Sequence, residues 1–201
     1  MGLLQRRLRS FDWTREDLTH AEVEDQLRSV VEGLGVTIFQ PAQPIEEVGI
    51  RDNAMLLLAG EHRGFRISKN GTKVEGAPGA VVTRLARVNT TSGPVTKIGG
   101  IHFLARTSSS DNAASLVTVS ATSRVVFNDC TFERYPMSSG DYVSIASGGT
   151  AQFFGCNFIG TQTAGFVVNN AAAVPLNVYI SGSYNTTGRL HNNCTIISEL
   201  L

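Results

Sequence analysis

The strongest constraint on this chain is a repeat. Leu116-Val117-Thr118-Val119, followed by Val125-Val126-Phe127-Asn128-Asp129-Cys130-Thr131-Phe132, can be laid over Tyr142-Val143-Ser144-Ile145 and Ala151-Gln152-Phe153-Phe154-Gly155-Cys156-Asn157-Phe158 at a constant offset of 26 positions. Five apolar pairs share that register: Val117 with Val143, Val119 with Ile145, Phe127 with Phe153, Cys130 with Cys156, and Phe132 with Phe158. A looser third copy runs through Phe166, Val168, Leu176, Val178, Ile180 and Tyr184. Upstream, Ile98 to Phe103 matches the Cys130/Phe132 segment at an offset of 29, and Phe65-Arg66-Ile67 through Val74 and Ala80-Val81-Val82 reads as an earlier turn of the same kind. Leu190 to Ile196 resembles Val126 to Phe132 at an offset of 64, which is not a whole number of periods, so no equivalent face is assigned to it.

A period of 20 to 50 residues marks a stacked architecture in which each unit buries its apolar face against the next. Helical repeats would need a 3.6-residue periodicity and few glycines, and propeller blades need about 40 residues each. Short strands of three to five residues between tight turns fit one coil of a parallel β-helix, with coils stacking at about 4.8 Å. The expected fold class is all-β: about six short coils over residues 45–201, preceded by an N-terminal arm, helix and linker over residues 1–44.

The helix is read from Thr14 as N-cap, Glu16 and Asp17 in the first turn, and Leu18, Val23, Leu27, Val30, Val31 and Leu34 at helical spacing, with Gly33 and Gly35 as the stop. Its single apolar face has to lie on something, and the first coil is the nearest candidate. Val36-Thr37-Ile38-Phe39 reads as a short strand, and Gln40 to Pro44, with two prolines, as a linker. At the other end the chain finishes Ile196-Ile197-Ser198-Glu199-Leu200-Leu201, so either this tail folds back over the last coil or another protein covers it.

Charge is balanced in total, with 17 Lys and Arg against 17 Asp and Glu, so nothing like the basic excess of a dedicated nucleic-acid-binding domain is present. Its distribution is uneven. Residues 101–201 hold nine charges, and their polarity comes instead from Ser, Thr and Asn, which suit turns and stacked polar ladders. Interface cores are depleted in charge, so side-by-side association of the repeat region is one reading; a Ser/Thr/Asn-rich composition with no such purpose is the other. The basic start lacks a following apolar run, no stretch nears the roughly 20 apolar residues of a membrane span, and three cysteines give no disulfide framework. Synthesis in a reducing cytoplasm without membrane association is expected.

The pattern Phe-x-x-Cys-x-Phe, present twice, and the entry Gly-Phe-Arg-Ile-Ser-Lys-Asn-Gly-Thr-Lys-Val from Gly64 to Val74 resemble the right-handed β-helices of the pectin-lyase-like group, notably those of tailed-phage structural proteins. The resemblance covers roughly residues 50–200. It implies a right-handed coil and a tendency to form trimers; the group also includes lyases, hydrolases and tailspikes.

Glycan cleavage needs clustered carboxylates. The repeat region offers only Asp129 and Glu133 near a strand end, with Asp141 one turn away. His20, His62, His102 and His191 are scattered without metal-ligand spacing, so no catalytic residue, metal or cofactor is assigned. Cys130, Cys156 and Cys194 are expected as small buried residues, with a Cys194–His191 nucleophilic pair as the outside alternative. Within the arm, Arg6, Arg7, Arg9, Phe11 and Trp13 form a basic, aromatic cluster of the kind that docks on an acidic protein surface; the plainer reading is a terminus packed on the helix.

Together these observations lead to the expectation of a non-enzymatic viral structural protein, similar to the β-helical cement or decoration proteins of phage heads. Such a protein would assemble as a trimer and bind the major capsid protein through the arm, at the virion surface. The alternative is a tailspike or receptor-binding module that recognises or cleaves a polysaccharide, with Tyr135, Tyr142, Tyr179 and Tyr184 as sugar-stacking candidates.

Overall fold

Parallel pairing dominates the architecture because each short apolar run buries one face only against its counterpart in the next repeat. The computed structural model describes residues 36–39, 52–53, 55–105, 115–134, 140–160, 166–172, 175–186 and 189–198. The arm and the helix expected over residues 14–34 lie outside these. The run Val36–Phe39 is a strand, β1, as its composition predicts. Strands then follow in triplets: β2 (Met55–Leu58), β3 (Glu61–His62), β4 (Phe65–Ile67); β5 (Lys73–Gly76), β6 (Val81–Val82), β7 (Ala86–Val88); β8 (Thr96–Gly99), β9 (His102–Ala105), β10 (Val117–Val119); β11 (Arg124–Asn128), β12 (Thr131–Arg134), β13 (Val143–Ile145). In the next two levels the first two members fuse around a corner into one long strand, giving β14 (Thr150–Gly160) with β15 (Phe166–Asn170) and β16 (Leu176–Thr186) with β17 (Arg189–Asn192); β18 (Cys194–Ser198) ends the series.

Every pairing among these strands is parallel. Each strand pairs with the equivalent member of the next triplet, so three stacks run side by side: β2-β5-β8-β11-β14-β16-β18, β3-β6-β9-β12-β14-β16, and β4-β7-β10-β13-β15-β17. The result is an all-parallel, solenoid-like β structure with no helix among the described residues, compatible with a β-helix. The five pairs matched in sequence are neighbours in space, since Val117 pairs with Val143, Val119 with Ile145, Phe127 with Phe153 and Phe132 with Phe158, while Cys130 and Cys156 occupy the same corner position one level apart. The spacing is not constant. It is 18 positions from Leu56 to Val74 and 31 from Val88 to Val119, the latter enclosing residues 106–114, which are not described.

Side chains alternate in and out along each strand. Leu56, Val74, Ile98, Phe127, Phe153 and Ile180 form one buried column, and Val82, Phe103, Phe132 and Phe158 another. The rings stack along each column: Phe127 on Phe153, Phe103 on Phe132 and Phe132 on Phe158 each have centroids 5.1 Å apart. Between columns they meet edge to face, Phe127 with Phe132 at 5.4 Å and Phe153 with Phe158 at 5.5 Å. Both arrangements suit the ring quadrupole. The corner between the first and second stacks repeats a left-handed residue at Gly100, Asp129 and Gly155 (φ 63°, 51° and 62°), the first two one position beyond β8 and β11 and the third at the equivalent place within β14. Hydrogen bonds Gly100 N to Asn128 O and Asp129 N to Phe154 O carry the ladder through that corner. A small internal hydroxyl cluster holds another corner, where the Thr90 amide donates to Ser123 Oγ at 2.8 Å and Ser120 and Ser123 hydroxyls lie 2.7 Å apart.

Phe132 contacts the rings of Phe103, Phe127, Phe153 and Phe158 and has no solvent exposure. Phe132→Ala is expected to lower the unfolding free energy by about 3–5 kcal/mol, the range for large-to-small core truncation. Phe65→Ala, at the periphery of the array, should cost less; urea unfolding of the two variants provides the comparison.

Candidate functional site

The chemistry-bearing side chains are best followed outward from the columns. In the second stack, His102 of β9 and Glu133 of β12 are diagonal neighbours on the outer face, because Thr131 pairs with His102 and Glu133 with Leu104. The ring nitrogen Nε2 of His102 donates to Glu133 Oε2 at 2.9 Å, the carboxylate being an acceptor only. Both side chains are about one-third exposed. This pair escaped the sequence reading, although the offset of 29 that aligns His102 with Thr131 also places Glu133 diagonally across from it.

The acids grouped by sequence have separate partners. Asp129 occupies the left-handed corner beside Gly155. Asp141 is a staple: Oδ1 accepts the Phe166 amide at 2.8 Å, Oδ2 accepts Asn169 Nδ2 at 2.7 Å, and its carbonyl accepts Arg134 Nη1 at 2.8 Å. Arg134 is buried, and desolvation pulls its pKa down to about 10, which leaves it charged at neutral pH. Among the described residues no three His, Cys, Asp or Glu side chains gather into a group able to hold a metal ion.

Cys130 and Cys156 are fully buried, as expected, whereas Cys194 is only partly so. The Cys156 thiol and burial push the Cys130 thiol well above its ordinary pKa. Cys194 pairs with Leu176 in the first stack, whereas the corner residue Cys156 is level with Gly182, so the Cys194 segment indeed occupies a different face. Burial raises the Cys194 thiol and lowers His191 to about 4. A thiolate–imidazolium pair would require the opposite shifts. Of the tyrosines considered for sugar stacking, Tyr142 is internal, with no exposure and its hydroxyl donating to Ile159 O at 2.7 Å; it is corrected to a core residue. Tyr179 is half-buried with its ring 4.9 Å from that of Phe154, and Tyr135 lies outside the described residues.

The outer surface changes character along the stack. In the third stack one outward ladder reads Arg66, Arg87, Thr118, Ser144, Asn169 and Asn192 in continuous register. In the first stack Lys73 pairs with Lys97, with Glu75 3.1 Å from the Lys73 ammonium. The first levels therefore carry charged side chains on two adjoining faces and the later ones chiefly amides and hydroxyls, bonded to each other and, at Asn169, to the Asp141 carboxylate: Asn192 Nδ2 donates to Asn169 Oδ1 at 2.9 Å and the Ser183 hydroxyl to Asn157 Oδ1 at 2.6 Å. Arg6, Arg7, Arg9, Phe11 and Trp13 lie outside the described residues. Compared with protein-family models, curated proteins and solved structures, the chain matches none of them.

His191 pairs in register with Val168, at the end of a column that runs Phe65, Ala86, Val117, Val143 and Val168. Because burial lowers its pKa from 6.5 to about 4, the neutral ring is the form the folded state holds. The stability this contributes is fully present above pH 6.5 and is lost as the pH falls towards 4, where the unfolded chain takes up the proton first. The thermal midpoint should therefore drop across that window, and His191→Val, matching the column, should make the drop shallower; a profile unchanged by the substitution would remove the histidine from the explanation.

Proposed function

We propose that this chain is a non-enzymatic viral structural protein, a cement or decoration protein that binds and stabilises a phage head, assembled as a trimer. In this reading the solenoid is a right-handed parallel β-helix of about six coils, with the amphipathic segment 14–34 capping its first coil. The arm anchors the protein to the major capsid protein through Arg6, Arg7, Arg9, Phe11 and Trp13. The protein is made in the host cytoplasm and resides at the capsid surface.

The observation that carries the proposal is the division of the outer surface. A rigid stack of parallel strands whose later levels present uncharged, mutually bonded Ser, Thr and Asn ladders offers broad neutral faces for packing. The acid side chains in the repeat region also serve the fold: Asp141 staples two strand ends, and Glu133 pairs with a histidine. Arginine and aromatic anchors in a short arm supply the complementary part, a local contact with an acidic shell.

Electron microscopy of native particles should place the protein on the outer shell, and full-length protein should cosediment with shells. Deletion of residues 1–13 should leave the protein folded but in the supernatant. Undiminished binding by that deletion would remove the anchor, and turnover of a polysaccharide, abolished in Glu133→Gln, would replace the proposal with the tailspike reading.

A further inference from the structure

We propose that the outer face of β14, β16 and β18, centred on Phe154, Tyr179 and Ile197, is the surface through which one copy of this chain packs against a second copy. The inference rests on the associating role proposed above and assigns it to one face. Phe154 and Ile197 are the large apolar side chains left exposed among the described residues, at 36% and 51%. They belong to one patch. Tyr179 lies diagonally across from Phe154, since Phe153 pairs with Ile180, with the two rings 4.9 Å apart, and pairs in register with Ile197, so the three side chains follow one another across successive strands.

Charge selects the occupant. From residue 142 to residue 188 the sequence contains no Asp, Glu, Lys, Arg or His, a run of 47 positions that includes all of β14, β15 and β16. The patch is bordered by the neutral hydrogen-bonding groups of Gln152, Asn177, Ser181 and Thr195, and on the β11 side by Asn128 and by Asp129, whose carboxylate lies against Gly155. Apart from the single carboxylate of Asp129 at its edge, a charged partner finds no counter-charge here and would lose hydration with little compensation. A second copy brings the same nearly neutral surface, so that contact over its centre buries apolar rings and pairs amides and hydroxyls, with Asp129 left at the rim. The first levels differ: they present charged side chains, Arg66 beside Arg87 and Lys73 beside Lys97 with Glu75 on Lys73, whose hydration contact with another copy would disturb. Contact between like copies is thus confined to the C-terminal levels. Three side chains cannot supply the roughly 800 Å² per partner of a stable interface, so the neutral border must be included, giving an apolar centre with a polar rim.

The test is the solution mass of the full chain by sedimentation or light scattering. The wild type at about 100 μM is expected to be oligomeric. Phe154→Glu and Ile197→Glu, both at outward positions, should each weaken association by about tenfold or more with circular dichroism unchanged, while Arg87→Gln should leave the mass as it is. Association should also change little between about 0.05 M and about 0.5 M salt, because no ion pair is involved. An oligomer whose mass survives both glutamate substitutions overturns this face while leaving trimerisation standing. A wild-type monomer overturns both, whether the patch is then found to be covered by the chain's own residues 199–201 or to bind a neutral polysaccharide in a manner lost in Phe154→Glu.

Discussion

The stacking of phenylalanine on phenylalanine, level upon level, is the interaction on which the rest of this structure depends. In a parallel sheet a one-residue slip would turn every side chain to the opposite face. Here a slip in one direction would carry Phe127 and Phe132 from a dry interior to water and put Asn128 and Glu133 in their place, and a slip in the other would replace Phe153 and Phe158 by Gln152 and Asn157. Each buried ring is worth about 1.5–3 kcal/mol relative to exposure, and the slipped polar groups would be unsatisfied as well. The columns therefore set the register, and the register determines which residues face outward. The Asp129 and Gly155 corners serve the same end, since a left-handed residue at equal depth in successive levels turns the chain without breaking the hydrogen-bond ladder.

Once register is fixed, the surface is a consequence of sequence at alternate positions, and it is there that function is written. Register neighbours on parallel strands are about 4.8 Å apart, so like side chains accumulate in ladders. Two stacked arginines repel each other, whereas two stacked asparagines bond to each other. The outward series from Arg66 and Arg87 to Asn169 and Asn192 is for this reason a gradient in what can approach. Zero net charge describes neither end of it.

How much of this was legible in the sequence follows from the same physics. The levels from Val117 to Phe158 could be read because their inward residues are large and similar and their connections equal in length, so that periodicity and identity reinforced one another. The early levels were harder. Their spacing shrinks to 18 positions and their columns are filled by Leu, Val and Ala, which any buried strand would use. Tyr142, a sugar-stacking candidate by residue type alone, is internal because the fold supplies the Ile159 carbonyl to its hydroxyl at a corner. The His102–Glu133 contact was missed because it is diagonal and joins residues from different repeats, and Phe154 because alternate residues of Phe153-Phe154 look identical until the register assigns one inward and one outward.

The ends of the columns carry the last consequence. An infinite solenoid would need no polar interior, but a short one must stop, and the stopping is visible inside. The second-stack column begins with His62, its Nε2 against the Ala59 carbonyl, before Val82 and the phenylalanines. The third-stack column that contains Val117 and Val143 ends in His191, and its neighbour, running Ile67, Val88, Val119 and Ile145, ends in the buried Asn170, whose amide donates to Asn193 O at 2.9 Å. Burial lowers the pKa of both histidines, so each enters the interior as a neutral ring. A polar group with a backbone partner tolerates partial hydration in a way that a phenylalanine column does not. The interior thus turns polar where particular columns stop, at His62 on one side and at His191 and Asn170 on the other, which lessens the apolar cross-section that a cap has to cover there.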